Sequence, residues 1–337
     1  MIKRIGILTS GGDAPGMNAA IRSVVRSAGS HGIEVMGIRR GYTGLINDDM
    51  VELHNKAVGP LMNRGGTFLF TARSEEFMTP EGRKKAYENY KKRELDALIV
   101  IGGDGTFKGI RDFANDYPVN VVGIPATIDN DVGCTHYTIG YDTATNTAVE
   151  AIDKIKDTMQ SHERCSVIEV MGRSSGKLAL YVAIATGATT VLIPEEKWNF
   201  KEDIQDKIRN YRDAGYNHYI IIVAEGAVNN DEGLEINGNA GQVVRDLIKE
   251  RTHLDPRLTV LGHIQRGGTP GVRDRVTATR MGCLAVHTLL EGRKNRIIVH
   301  RDGRVQDIDI EEALRQKTRL YKLERIIIEE MTGKVKG

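Results

Sequence analysis

Cysteine is scarce: Cys134, Cys165 and Cys283 are the only three in 337 residues. They are too few and too scattered for a disulfide framework or a zinc-binding spacing, so a reducing, cytoplasmic setting is expected. Charge of one sign is missing too, since 47 Lys and Arg against 45 Asp and Glu leave a formal net charge of +2. That balance gives no support for a nucleic-acid or membrane-surface partner, although a local basic cluster could still hold a small anion. No apolar run approaches the ~20 residues of a membrane span. The opening MIKRIGILTSGGD enters a strand-like segment at once and lacks the apolar core and cleavage site of a secretory leader. There is no fixed-period repeat, low-complexity tract or obvious flexible linker.

What is abundant is glycine, 37 residues and well above the ~7% usual in proteins, which serves turns and close backbone approaches to ligand. Length and a 40% hydrophobic content suggest two domains. Short β-branched runs (RIGILTS, LDALIVIGG, NVVGIP, CSVIEVMG, TVLIPE, NHYIIIVAEG) alternate with amphipathic segments such as MNAAIRSVVRSAG, TFKGIRDFAND and KLALYVAIATGA. Continuous apolar strands separated by helices predict parallel sheets covered on both faces, an α/β fold. Ligands in such folds bind beyond the carboxyl ends of the strands. The residues at those ends are Ser10 to Asp13, Gly102 to Gly105, Thr127 to Asp131, Met171 to Arg173, and Glu225. The polar, Gly/Asn-rich stretch after Glu225 reads as an exposed loop.

Four stretches carry chemistry. LIVIGGDGTFKG is a strand, a glycine turn and a helix start, where backbone N–H groups and the helix N-terminus suit phosphate. Asp104 in that turn fits bare phosphate poorly and makes sense with Mg²⁺ between them; a helix-cap role is the plain structural alternative. TSGGDAPGMN repeats the pattern after the first strand. In GIPATIDNDVG, Thr127, Asp129 and Asp131 fall at alternate positions, which in an extended chain would share one side, and adjacent carboxylates call for a cation, a proton or a basic partner. TVLGHIQRGGTP sets His263 and Arg266 near Arg257, a combination suited to phosphate. GRSSGKL is not a P-loop: its glycines are one residue too close and Leu178 stands where Ser or Thr would bind magnesium. Lys177 is expected to be a surface or helix-start lysine. Arg164 and Arg173 fall at opposite ends of one predicted strand, with surface ion pairing as their ordinary alternative.

The ordered set TSGGDAPGMNAA, RGGTFLFTAR, VIGGDGT, PATIDND, IGYDTATNTAVEAIDKI, VIEVMGR, VAEG and VLGHIQRGG closely resembles the bacterial-type ATP-dependent 6-phosphofructokinases. The likeness runs to about residue 315; the tail KTRLYKLERIIIEEMTGKVKG falls outside any shared motif. The resemblance implies two Rossmann-like three-layer domains with mainly parallel sheets. Residues 1–139 with about 265–303 would bind ATP, and 140–264 with about 304–325 would bind fructose 6-phosphate. The implied glycolytic reaction transfers the ATP γ-phosphoryl group to the 1-hydroxyl of fructose 6-phosphate, with Mg²⁺. By the same resemblance Asp129 is the catalytic base, Thr127 positions the reacting group, Asp104 is associated with the metal, and Arg73 and Arg173 neutralise the transferring phosphate. Asp131 would complete the acidic side, through metal-bound water or a basic neighbour. Gly12, Arg73, Ser74, Gly103, Asp104, Gly105 and Thr106 match the ATP site, with Tyr42 near the adenine. Thr127, Asp129, Met171, Gly172, Arg173, Glu225, His263, Ile264, Gln265 and Arg266 match the sugar-phosphate site. Arg164 and Arg257 match arginines that arrive from a neighbouring subunit, which implies a homotetramer with shared active sites.

Two departures from the family pattern stand out. Ala126 stands where a glycine is usual, but it and Gly105 are small where pyrophosphate-using relatives carry Lys and Asp, so ATP is the expected donor and pyrophosphate the alternative. In the intersubunit effector site Arg22 and Arg26 are retained, with Lys156 in place of the usual Arg, while Asn55, Thr189 and Tyr216 replace charged residues. Control by ADP or phosphoenolpyruvate is therefore expected to be weak or altered. An NAD or lipid kinase shares only GGDG, and a catalytically idle sugar-phosphate or nucleotide sensor would not need a base aimed at a hydroxyl.

Overall fold

Six-residue runs in which every residue is buried, ALIVIG, CSVIEV and YIIIVA, form the interiors of two sheets, as expected of strands covered on both faces. The computed structural model describes residues 2–162, 164–318 and 322–332. The chain divides into two compact units, Met1–Thr143 with Arg266–Thr318, and Ala144–Gln265 with Arg319–Gly337.

The first unit holds a seven-stranded sheet. Its strands are β1 (Arg4–Thr9), β2 (Glu34–Ile38), β3 (Met50–Glu52), β4 (Ala97–Gly102) and β5 (Val121–Pro125). The later segment adds β10 (Arg296–Arg301) and β11 (Arg304–Asp309), and the spatial order is β11-β10-β5-β4-β1-β2-β3. The five inner strands run parallel, and β3 and β11 close the two edges antiparallel. Helices α1 (Met17–Ser30), α2 (Gly41–Ile46), α3 (Pro80–Lys92), α4 (Asp104–Asp116), α9 (Val272–Leu290) and α10 (Ile310–Arg315) pack around it. One core cluster stacks Tyr42 on Phe77 at 3.9 Å, with Phe107 and Phe113 among their buried neighbours.

The second unit begins within α5 (Tyr141–His162) and holds the parallel sheet β7-β8-β6-β9. Its strands are β6 (Cys165–Val170), β7 (Thr190–Leu192), β8 (Tyr219–Ala224) and β9 (Arg257–Val260). Helices α6 (Lys177–Thr186), α7 (Asp206–Asp213) and α8 (Ala240–Arg251) belong to it, as does α11 (Lys322–Thr332) from the divergent tail. That last helix packs on α6 and pairs Arg325 with Glu196 at 2.8 Å.

One boundary is corrected. The expectation placed 304 onward with the second domain, yet residues to Thr318 belong to the first unit. The cause is β11, which pairs residue for residue with β10 across a tight hairpin and so cannot leave the first sheet. Among the described residues no helix is long and apolar enough to cross a membrane.

Candidate active site

In the first unit the carboxyl ends of β1, β4 and β5 bring the glycine loops together. Gly102 lies so close to Ser10 that a Cβ there would sit 2.5 Å from the Ser10 carbonyl oxygen and 2.4 Å from Thr106 Oγ1. Thr106 Oγ1 donates to the Ser10 carbonyl at 3.2 Å. Gly103 is extended and caps α4, which puts Asp104 in its first turn, where a carboxylate is favoured by the helix dipole. The Asp104 side chain is about half exposed and lies 3.6 Å from Lys108 one turn on. A Cβ added at Gly103 or Gly105 would meet nothing within 4 Å, so the turn opens onto unfilled space.

Tyr42 differs from expectation. It is buried rather than presented to a base, and its hydroxyl donates to the Thr106 carbonyl at 2.5 Å. Burial pushes its phenol well above the usual range, so it is a neutral strut beneath the turn. Arg73 is exposed, and Ser74 Oγ accepts the Phe77 N–H at 3.3 Å. Thr71, two residues earlier, donates to the Gly11 carbonyl at 2.7 Å and ties this loop to the first glycine loop. Arg266 belongs to this unit, and its nearly buried guanidinium donates through Nη1 to the Asp13 carbonyl at 3.0 Å. A Cβ at Gly12 would lie 2.7 Å from that nitrogen, so a larger residue there would displace the Arg266 guanidinium.

The acidic stretch is not a continued strand. β5 ends at Pro125, a turn follows, and Asn130 takes a left-handed φ of 48°, so Thr127, Asp129 and Asp131 do not project to one side as an extended chain would require. Asn130 stabilises this path. Its Oδ1 accepts the Thr138 N–H at 3.0 Å, its Nδ2 donates to the His136 carbonyl at 3.3 Å, and Thr138 Oγ1 donates to the Thr127 carbonyl at 2.7 Å. Asp129 is 2% exposed and its N–H donates to Thr127 Oγ1 at 3.2 Å, whereas Asp131 is only half-buried.

No motif marks Asp274. Fully buried in the first turn of α9, it accepts from Tyr137 Oη (2.6 Å), Gly140 N (2.6 Å), Thr143 N (2.9 Å) and Thr143 Oγ1 (2.5 Å). Burial raises its proton affinity despite those four bonds. It anchors residues 137–143, and through Thr138 this segment also braces the turn carrying Asp129. Its partners lie more than 130 positions away in sequence, so no local spacing could have marked it.

In the second unit the carboxyl edge of β6 continues into Met171, Gly172 and Arg173, with Gly172 at φ 144° and Arg173 at φ 52°. Glu225, at the end of β8, accepts both the Gly172 N–H (3.2 Å) and the Arg173 N–H (2.8 Å) through Oε1. Gln265 is fully buried; its Oε1 accepts the Met171 N–H at 3.4 Å and its Nε2 donates to the Gly262 carbonyl at 3.0 Å. The two residues shape the loop, while Arg173, His263 and Ile264 are exposed. Gly226 is obligatory, because a Cβ there would lie 1.8 Å from the Arg173 carbonyl oxygen. Lys177 does start a helix, but it is buried rather than on the surface. The Glu195 carboxylate accepts from the Gly176 N–H at 2.9 and 3.0 Å, so an acid occupies the place a P-loop would give to phosphate.

Arg164 and Arg257 stand apart. Both are exposed at the amino edge of the adjacent strands β6 and β9, the end opposite Arg173 and His263. Six strand residues at ~3.3 Å each separate the two ends by ~20 Å, more than a hexose phosphate spans.

Of the effector residues, Arg22 and Arg26 lie one turn apart on α1 and form no ion pair among the described residues. Lys156, in the second unit, donates to the Thr186 carbonyl at 3.1 Å. Thr189 is buried and its Oγ1 accepts the Ile220 N–H at 3.1 Å, while Tyr216 is half exposed and packs against Tyr211. Among the described residues no cluster of three acids, histidines or cysteines forms a metal cage. A single half-exposed carboxylate, Asp104, does fit Mg²⁺ carried by a nucleotide, since that ion keeps several waters and phosphate oxygens and needs one or two carboxylates.

The phosphofructokinase family profile matches residues 4–289. An ATP-dependent 6-phosphofructokinase of Thermoanaerobacter sp. (strain X514) is 50% identical over 331 residues, 97% of this chain and 99% of that one. The structure of phosphofructokinase from Saccharomyces cerevisiae superposes with a TM-score of 0.86 at 35% identity; the match covers 98% of this chain and 47% of the yeast chain, so this chain spans about half its length. A pyrophosphate-dependent phosphofructokinase from Marinobacter aquaeolei shares the fold (TM-score 0.82) at 19% identity, covering 99% of this chain and 93% of that one.

Proposed function

The chain belongs to the phosphofructokinase family, and we propose that it transfers the γ-phosphoryl group of ATP to the 1-hydroxyl of fructose 6-phosphate, giving fructose 1,6-bisphosphate and ADP. The observation that carries this reading is Asp129, a carboxylate 2% exposed and followed by a left-handed Asn130, on the turn after β5, whose end pairs with the end of β4 from which the open Gly103 and Gly105 turn departs. Phosphoryl transfer needs little covalent help from protein and depends on positioning and charge stabilisation. Asp129 accepts the proton of the attacking hydroxyl, and Thr127 holds the chain before it. Gly12, Ser74 and Gly103 to Thr106 receive the nucleotide phosphates through backbone N–H groups and the start of α4. Asp104 would hold Mg²⁺, which when bound offsets charge on the phosphate oxygens. Arg73 and Arg173 balance the charge of the group in transit, as planar guanidinium groups do well.

On the acceptor side Met171, Gly172 and Arg173, on a loop shaped by Glu225 and Gln265, bind the sugar phosphate, as do His263, Ile264 and Arg266. Arg164 and Arg257, at the far edge of their own sheet, serve the 6-phosphate of a neighbouring copy in a homotetramer with shared sites. Arg22, Arg26 and Lys156 form a weakened effector site. A cytoplasmic setting suits the three unpaired cysteines, Cys134 and Cys165 being buried and Cys283 partly so.

Open space at Gly105 favours ATP over pyrophosphate, because the α-phosphate and adenosine need room there. The test offers purified protein fructose 6-phosphate and Mg²⁺ with ATP in one tube and pyrophosphate in another. Fructose 1,6-bisphosphate is expected with ATP. Product mainly with pyrophosphate would overturn the donor assignment, and no product with either would overturn the kinase reading.

A further inference from the structure

In the first unit, α9 and the β10–β11 hairpin enclose a depression that phosphoryl transfer leaves unused. Arg280, Leu284 and His287 recur on α9 at i, i+4 and i+7, one face of the helix. The hairpin packed against α9 adds Gly303, Arg304 and Val305, and together these residues line a cleft of about 580 Å³, within the range of small-molecule sites. The turn that sets Arg304 is tight, with left-handed φ at Asp302 (49°) and Gly303 (74°). A Cβ at Gly303 would meet nothing within 4 Å, so the hairpin side of the cleft is open. Arg280, His287 and Arg304 are all exposed, which leaves their side chains available to a ligand from solvent.

No acid answers these cations. No carboxylate lines the cleft, and among the described residues neither Arg280 nor Arg304 makes a side-chain hydrogen bond or an ion pair. The acids nearest in sequence are engaged elsewhere: Asp302 faces His136 at 3.9 Å, Asp307 pairs with Arg293 and Arg296, and Glu291 pairs with Arg293. His287 lies in the last turn of α9, where the helix dipole favours an imidazolium, and His31 packs edge-on against it at 5.4 Å. Unpaired guanidinium groups around one depression raise its positive potential, and each matches a pair of phosphate oxygens. Arg280 and His287 are seven residues apart, ~10 Å along a helix axis, with the apolar Leu284 between them. Positive groups at two ends and an apolar middle suit a molecule with a phosphate at either end. We propose that this cleft binds a small organic bisphosphate. None of its residues belongs to the donor, acceptor or effector sets above, so the site stands or falls separately from the kinase reading.

The test titrates the full-length protein by calorimetry with 1,6-hexanediol bisphosphate, which carries two phosphates on an apolar chain and has no sugar or base. Hexyl phosphate, with one phosphate, and 1,6-hexanediol, with none, are the controls. Saturable binding of the bisphosphate is expected, with hexyl phosphate about 10-fold weaker, as loss of a charge-assisted contact predicts, and no binding of the diol. The same affinity in a chain carrying Arg22→Ala and Arg73→Ala would place the ligand outside the effector and donor sites. Arg280→Ala and Arg304→Ala should each weaken binding about 10-fold. Arg304→Lys keeps the charge and loses the paired geometry, so it should retain more affinity than Arg304→Ala, a graded response that misfolding does not give. A flat bisphosphate titration, equal binding of hexyl phosphate, or affinity that falls with Arg22→Ala and Arg73→Ala but not with Arg280→Ala or Arg304→Ala would overturn the proposal.

Discussion

The two carboxyl edges fasten their loops with different materials. In the first unit the glycine turns are held by neutral groups, the Thr106 hydroxyl on Ser10, the Tyr42 hydroxyl on Thr106 and the Asn130 amide on Thr138. In the second unit Glu225 holds the loop from beneath through two backbone N–H groups, and a second acid, Glu169, lies buried nearby, accepting from Gly241 N at 2.8 Å. Charge enters the first unit's fastening further out, where the Arg266 guanidinium ties Asp13 and the buried Asp274 carboxylate anchors residues 137–143.

The largest way to break the comparison is at Asp129. Asp129→Asn should lower turnover by at least ~10²-fold, the lower end of general-base contributions, with nucleotide binding retained in an equilibrium titration; unchanged turnover would remove the base from the donor edge. Next, Arg257→Ala should raise the half-saturating fructose 6-phosphate concentration about 10-fold, as loss of a charge-assisted phosphate contact does, with ATP half-saturation unmoved. Tyr42→Phe deletes one neutral strut and should cost about 1 kcal/mol in denaturant unfolding, with a smaller fall in turnover.

The smallest effect concerns Glu169, whose proton affinity is raised by burial, opposed by the Gly241 hydrogen bond and reinforced by Glu225. A carboxyl raised above its unfolded value binds protons more readily folded than unfolded, so stability falls as pH rises from about 4.5 through the folded value. Glu169→Gln should flatten that part of a stability–pH profile. A profile as steep as the wild type would place the responsible group elsewhere.

The strands buried throughout were legible because burial on both faces makes them continuous apolar runs, as in β4, β6 and β8, whereas the inner strands β2 (EVMGI) and β10 (RIIVHR), which carry charge, were not among the runs read. The edge strands β3 (MVE) and β11 (RVQDID) were not, since partly solvated strands retain charge and lose the pattern. The boundary near 304, implied by the resemblance, moves because β11 pairs with β10. Site residues next to strand ends could be read from position; their side-chain roles could not. Tyr42 and Gln265 turn inward because their hydrogen-bond partners, Thr106 and Met171, come from distant segments. Asn130 upset the alternation of Thr127, Asp129 and Asp131 through a single left-handed φ, a conformation Asn tolerates but does not announce.

The position of Arg164 and Arg257 at the amino edge of their own sheet has a genetic corollary. If those arginines serve the neighbour's sugar, a chain disabled at Asp129 can still lend its arginines, and a chain disabled at Arg257 can still lend its base. Two inactive variants unfolded and refolded together should therefore complement each other, with mixed assemblies containing some intact sites that neither parent forms alone.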